Sequence, residues 1–63
     1  MIKDSKDLIK LLEKDGWYIV NKVGSHCQLK HLTKKGRVTI PHPKKDLPIG
    51  TVKSILKQSQ IEV

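Results

Sequence analysis

Residues 17–32 read Trp17-Tyr18-Ile19-Val20-Asn21-Lys22-Val23-Gly24-Ser25-His26-Cys27-Gln28-Leu29-Lys30-His31-Leu32. The first half is rich in β-branched and aromatic residues, which suit a pleated strand. Gly24-Ser25 breaks it where a two-residue hairpin turn needs glycine's conformational freedom. Beyond the turn the pattern alternates, with Cys27 and Leu29 on one face and His26, Gln28 and Lys30 on the other. The first half is apolar on both faces at its start, so alternation does not select its core side. Two strands joined this tightly are antiparallel neighbours.

The rest of the chain extends this hairpin. Thr33-Lys34-Lys35-Gly36 is a second turn with a glycine available for positive φ. Arg37-Val38-Thr39-Ile40 follows as a third short strand, with Val38 and Ile40 inward, and Pro41 and Pro43 end it because proline cannot donate to a ladder. Upstream, Leu8, Ile9, Leu11 and Leu12 form an apolar stripe at helical spacing, opposite Lys6, Lys10, Glu13 and Lys14. Ser5 or Asp4 can cap that helix, and Gly16 can end it in a left-handed conformation. Downstream, Pro48 suits the first turn of a second helix, which should fray after Ser59. Ile49, Val52, Ile55 and Leu56 supply its buried stripe. The expectation is an α+β fold of order α-β-β-β-α: a three-stranded antiparallel sheet with two helices on one face and the other face open to a ligand.

Sixty-three residues make a single domain, 1–63, with a modest core. Cys27 stands alone, so no disulfide supports the fold, and one cysteine in a short chain suits a reducing compartment. The charged start Met1-Ile2-Lys3-Asp4-Ser5-Lys6-Asp7 is unlike a signal peptide, and no segment nears the ~20 apolar residues that span a bilayer. The expected location is the cytoplasm, without membrane contact.

The net charge is +7, and it is unevenly spread. Up to Asp15, four lysines balance four acids. From Gly16 onward, nine basic residues face only Asp46 and Glu62. Such a surplus fits a polyanion or an acidic protein partner, though it also fits a merely solubilising surface. Only Trp17 and Tyr18 could stack on bases, which favours recognition of a phosphate backbone over base stacking.

His26 is the first candidate for chemistry. Imidazole moves protons near neutral pH, and lysines neutralise phosphate. RNA carries its own nucleophile in the 2′-hydroxyl, so its cleavage needs only proton transfer and charge stabilisation. On that reading His26 serves the 2′-hydroxyl or the leaving 5′-oxygen. Spacing alone favours the plainer alternative, an exposed hairpin residue. His42, between two prolines and beside Lys44 and Lys45, is similarly open: phosphate positioning or a second proton carrier on one side, an ordinary loop histidine on the other. His31 shares the Cys27 and Leu29 face and belongs partly in the core or at the sheet edge. Cys27-x-x-x-His31 is not a structural zinc pairing, and no metal or other cofactor is expected. Cys27 lies among apolar neighbours, the setting of an inert thiol. No phosphate-binding glycine loop, carboxylate pair or Ser-His-Asp set is present.

Gly16-Trp17, Gly24-Ser25-His26, Val38-Thr39-Ile40-Pro41-His42-Pro43 and the run from Leu47-Pro48-Ile49-Gly50-Thr51 through Ile55-Leu56-Lys57-Gln58 together resemble the HicA toxins, the YcfA-like group. The resemblance spans nearly the whole chain. Two positions depart from the family pattern. Leu32 stands where proline often follows the histidine of the second strand, and Ser59-Gln60 stands where many members have Ala-Gly. The resemblance implies a fold like the double-stranded-RNA-binding domain. It also implies a small ribonuclease that cuts mRNA, stops translation and is silenced by a HicB antitoxin. It makes His26 the catalytic histidine and Gly24 a sensitive turn residue. The expected activity is therefore that of a metal-independent endoribonuclease. In it, Gly24 and Ser25 support the phosphate, and Lys22, Lys30, Arg37, Lys44 and Lys45 bind the RNA backbone. The alternatives are a non-catalytic RNA-binding module using the same basic face and an interaction domain for an acidic protein.

Overall fold

The computed structural model describes residues 2–61. Helix α1 spans Ser5–Lys14, strands β1, β2 and β3 span Trp17–Val23, His26–His31 and Arg37–Pro41, and helix α2 spans Ile49–Gln58. The order is the α-β-β-β-α expected. The sheet is antiparallel throughout, with β2 between β1 and β3. This is the architecture that the double-stranded-RNA-binding likeness calls for.

Of the two possible caps of α1, the structure uses Asp4, whose Oδ1 accepts the Lys6 N–H at 2.9 Å. Ser5 is thereby released for another task and is completely buried. Past the helix, Gly16 takes φ +106°, and a Cβ there would lie 2.7 Å from His31 Nε2. Both the left-handed backbone and the close approach require glycine.

Cross-strand pairing settles the side of β1 that alternation left open. Trp17 stands opposite His31 and Ile19 opposite Leu29, facing the helices, while Tyr18 stands opposite Lys30 and faces out. The register shifts between Ile19 and Asn21, so Val20 is an extra, exposed residue in the strand. A bulge of this kind sharpens the local twist and resets which side chains face outward.

One apolar cluster joins both helices to one side of the sheet: Leu8, Ile9 and Leu12 from α1, Trp17, Cys27, Leu29, Val38 and Ile40 from the strands, and Val52 and Ile55 from α2. Leu8, Leu12, Leu29 and Ile40 expose no surface, and each contributes roughly 1.5–3 kcal/mol through burial. Leu11 and Leu56 are only half-buried. Ile49 departs from expectation, being 49% exposed. The buried line of α2 runs through Val52, Ile55 and Ser59, so Ile49 lies round its flank. Leu47, just ahead of the helix, enters the core instead. Pro48 is the residue before the helix rather than its first member, and its carbonyl accepts the Val52 N–H at 3.0 Å.

The end of the molecule away from the Gly24 turn is tied by Lys34. Its Nζ donates to Asp15 Oδ2 and to the carbonyls of Ser59 and Gln60, both at 3.1 Å. The β2–β3 turn is thus fastened to the ends of both helices. The Lys34 hydrogen bond holds the Asp15 carboxyl below the usual carboxylate range. His31 is part of the same joint. Its Nδ1 accepts from the backbone of Thr33 and Lys34 at 3.0 and 2.9 Å, so Nε2 carries the proton and donates to the Asp15 carbonyl. The ring also meets Trp17 edge-on at 5.3 Å. His31 is a structural histidine.

Candidate nucleic-acid interface and the histidine turn

Gly24 and Ser25 alone connect β1 to β2, with Val23 paired to His26 across the turn. Gly24 sits at φ +58° and Ser25 has no positive φ. A positive φ at the first of two turn positions matches the right-handed twist of the flanking strands. His26 is therefore held on the first rung of a ladder, bracketed by Val23 on β1 and Pro41 on β3. It is exposed, and it projects on the side opposite Cys27, away from the helices.

That outward side is a basic and polar surface. Below His26 on β2 come Gln28, opposite Asn21 and Thr39, then Lys30, opposite Tyr18 and Arg37. Arg37 Nη1 donates to Gln28 Oε1 at 3.1 Å. Lys30 lies four residues along β2 from His26, about 13 Å at strand rise. Lys30 and Arg37 therefore form a basic pair well separated from His26 along the sheet. Tyr18 is 44% exposed, so one aromatic ring is available on this face, whereas Trp17 is buried. Thr39 does not stand out in the sequence as a residue of this face; the outward half of the alternation, which marks Gln28, is the signal that could find it.

The expected basic residues do not all share this face. Lys22 pairs with Cys27, which sets it on the helix-bearing side, at the exposed end of β1. Lys44 and Lys45 are exposed in the loop after β3, close in sequence to His42. Gly24, Ser25, His26, His42, Lys44 and Lys45 form one end of the molecule, and Lys30 with Arg37 form the middle of the open sheet.

His42 is not a free loop residue. Its backbone N–H donates to the Ser25 carbonyl at 2.7 Å, and its Nδ1 lies 2.7 Å from the hydroxyl of buried Ser5. Ser5 and Lys44 exchange two further bonds, Ser5 N–H to Lys44 O at 2.8 Å and Lys44 N–H to Ser5 Oγ at 2.9 Å. The partners are 37 and 39 residues apart, so no local pattern could have revealed them. Cys27 and His31 face the helices while His26 faces away, so the histidines and the cysteine do not converge. Among the described residues no three His, Cys, Asp or Glu side chains are grouped to hold a metal ion.

A three-stranded sheet covered by two helices on one side, with lysine, arginine and an edge histidine on the other, defines a small α+β domain. Residues 5–61 match the family described as the HicA toxin of bacterial toxin-antitoxin systems. The chain belongs to the HicA toxin family, whose role is that of a toxin with a cognate antitoxin as its partner. No curated protein matches the chain. Among the described residues no helix is long and apolar enough to cross a membrane.

Proposed function

We propose that the protein, acting as a single toxin domain in the cytoplasm, is an endoribonuclease that cleaves mRNA and so blocks translation. The observation that carries this reading is His26 itself: an exposed imidazole on a fixed hairpin rung, at the edge of an open basic face. In the reaction, the RNA 2′-hydroxyl loses its proton and attacks the adjacent phosphorus. The bond to the 5′-oxygen breaks, leaving a cyclic phosphate and a protonated 5′-hydroxyl. His26 carries one of these proton transfers. The amides around Gly24 and Ser25 meet the developing charge on the phosphate oxygens. Lys30 and Arg37 hold the chain farther along the sheet, and Lys44 and Lys45 bind it beside the turn. Lys22, turned to the other side, contributes only where RNA wraps the β1 edge. The nucleophile comes from the substrate, so the reaction proceeds without a metal.

Purified protein incubated with RNA tests this directly. Cleavage that disappears in His26→Ala and is absent on DNA of the same sequence supports it; equal cleavage by the variant overturns it. A second reading, a non-catalytic RNA-binding module, draws on the Lys30–Arg37 pair, which would hold RNA whatever His26 does. Retained RNA affinity with no cleavage by the parent would select it.

The antitoxin on this reading is a HicB-like protein that covers His26 or the basic face and brings acidic groups to it. Complementary charge would speed the encounter, at rates that fall as salt rises. Hydrogen exchange on the complex checks the footprint. Protection from Val23 to Lys45 supports occlusion, and protection confined to α1 refutes it.

A further inference from the structure

We infer that Ser5 and His42 form a positioning device for the reaction, holding the turn that presents His26 against the start of α1; the inference rests on the ribonuclease reading above. The bonds form a continuous path. Ser5 has no exposed surface, and its hydroxyl accepts the Lys44 N–H at 2.9 Å and lies 2.7 Å from His42 Nδ1. A buried hydroxyl whose own proton finds no acceptor is costly. The arrangement that satisfies every group has the Ser5 O–H donating to Nδ1, leaving the His42 proton on Nε2. The His42 backbone N–H then donates to the Ser25 carbonyl at 2.7 Å. Ser25 is the residue before His26.

The turn needs this support. It lies at one end of the sheet, Gly24 and Ser25 are exposed, and nothing lies within 4 Å of where a Gly24 Cβ would be. The tie of the Ser25 carbonyl to the β3 end is the backbone N–H of residue 42, and the His42 ring, held by Ser5, fixes where that N–H points. Ser5 acts one step further back, by fixing the ring and backbone of the segment that supplies that tie. The Ser5 N–H to Lys44 O bond and the Leu47 N–H to Lys3 O bond, both 2.8 Å, fasten the same segment along the entry to α1. On this account His42 is not a second proton carrier. Its Nδ1 is engaged with Ser5, and its contribution is the placement of its neighbour.

The chemistry separates two conservative replacements. Asparagine at 42 can offer a side-chain oxygen near the position of Nδ1, whereas it has nothing at the position of Nε2. Cleavage of a defined RNA by His42→Ala, His42→Asn, Ser5→Ala and the Ser5→Ala/His42→Ala double variant is measured well below each variant's melting temperature. Misplacement of a reacting group by about 1 Å can cost on the order of 100-fold. The expected result is kcat lowered about 10- to 100-fold in His42→Ala and in Ser5→Ala, with KM unchanged. The double variant should be no worse than the weaker single one, because the two act through one path. His42→Asn should recover most of the rate.

A His42→Asn enzyme as slow as His42→Ala would overturn the inference and make Nε2 a participant in the chemistry. Parent-like kcat in His42→Ala or Ser5→Ala would overturn it as well. A readout independent of RNA is exchange of the His42 amide proton, which should quicken in Ser5→Ala. Unchanged exchange refutes the linkage whatever the activities. If exchange quickens but the parent itself cuts no RNA, the ribonuclease reading fails and takes the positioning role with it, while the anchoring of the turn stands.

Discussion

Lys30 and Arg37 stand directly opposite each other across β2 and β3, on the uncovered side of the sheet. Neither is in an ion pair with an acid among the described residues. Like charges facing each other across a ladder destabilise it, so the pair is better suited to a ligand than to the fold. A phosphate chain lying over the sheet would relieve the repulsion. Replacing both by alanine should leave the melting temperature unchanged or raised. It should also flatten the dependence of log RNA affinity on log salt by about 1.4, from about 0.7 for each single-strand phosphate that is no longer neutralised. Affinity titrations across a salt series, with a thermal melt of each protein, check both halves. An unchanged slope would put the RNA elsewhere.

His26→Ala should lower cleavage by 10²- to 10⁴-fold, the range for loss of a general acid or base. Because the imidazole is exposed and outside the core, the melting temperature should stay within about a degree or two of the parent, as for most surface substitutions. Cleavage assays and a thermal melt on the same preparations are sufficient. Loss of activity accompanied by loss of folding would leave the chemical role unsupported.

Gly24→Ala should destabilise by roughly 1–2 kcal/mol, the cost of a left-handed conformation for a residue with a Cβ. The open space around it means no steric clash adds to that. Gly24→Asn should cost less, since asparagine tolerates this region better. If turn geometry governs His26, activity should rank glycine, asparagine, alanine. Chemical denaturation and RNA cleavage across the three proteins test the order.

Gln60 occupies a left-handed position, φ +57°, just beyond the C-cap of α2. Helix ends commonly carry glycine at such a left-handed position. Gln60→Gly should therefore stabilise the fold by up to about 1 kcal/mol, the strain relieved exceeding the entropy that glycine loses on folding. Lys34 reaches the backbone carbonyl of residue 60, so its bond survives the change. Equal or lower stability by chemical denaturation would contradict this.

Asp15 gives the fold a pH dependence whose sign follows from its partner. The Lys34 hydrogen bond lowers its folded-state pKa, so the unfolded chain binds a proton more readily. The contribution is therefore fully present above the ordinary aspartate pKa of about 3.9. It is lost as the pH falls through the lower folded-state value. Asp15→Asn should be less stable than the parent at pH 7, and the two should converge as acid protonates Asp15. Denaturation midpoints at several pH values measure the gap, and a constant gap would exclude the linkage.

Much of this protein could be read from local pattern. The Gly24-Ser25 interruption, the alternation through Cys27 and Leu29, the prolines after Ile40 and the two helical stripes each report a property of neighbouring residues. Together they determined the element order, most of the core and the outward direction of His26. What lay beyond local pattern is whatever depends on residues far apart in the chain. The apolar start of β1 acquired an inner side only when Trp17 met His31 and Ile19 met Leu29. The bulge at Val20 then set Lys22 on the helix side, which a strict alternation could not settle. Ile49 turned outward because the rotation of α2 about its axis is decided by what it packs against, and Leu47, ahead of the helix, entered the core. Ser5 offered a capping hydroxyl by sequence. Only folding brought it beside His42 and Lys44, where its buried hydroxyl bonds to the His42 ring and the Lys44 N–H.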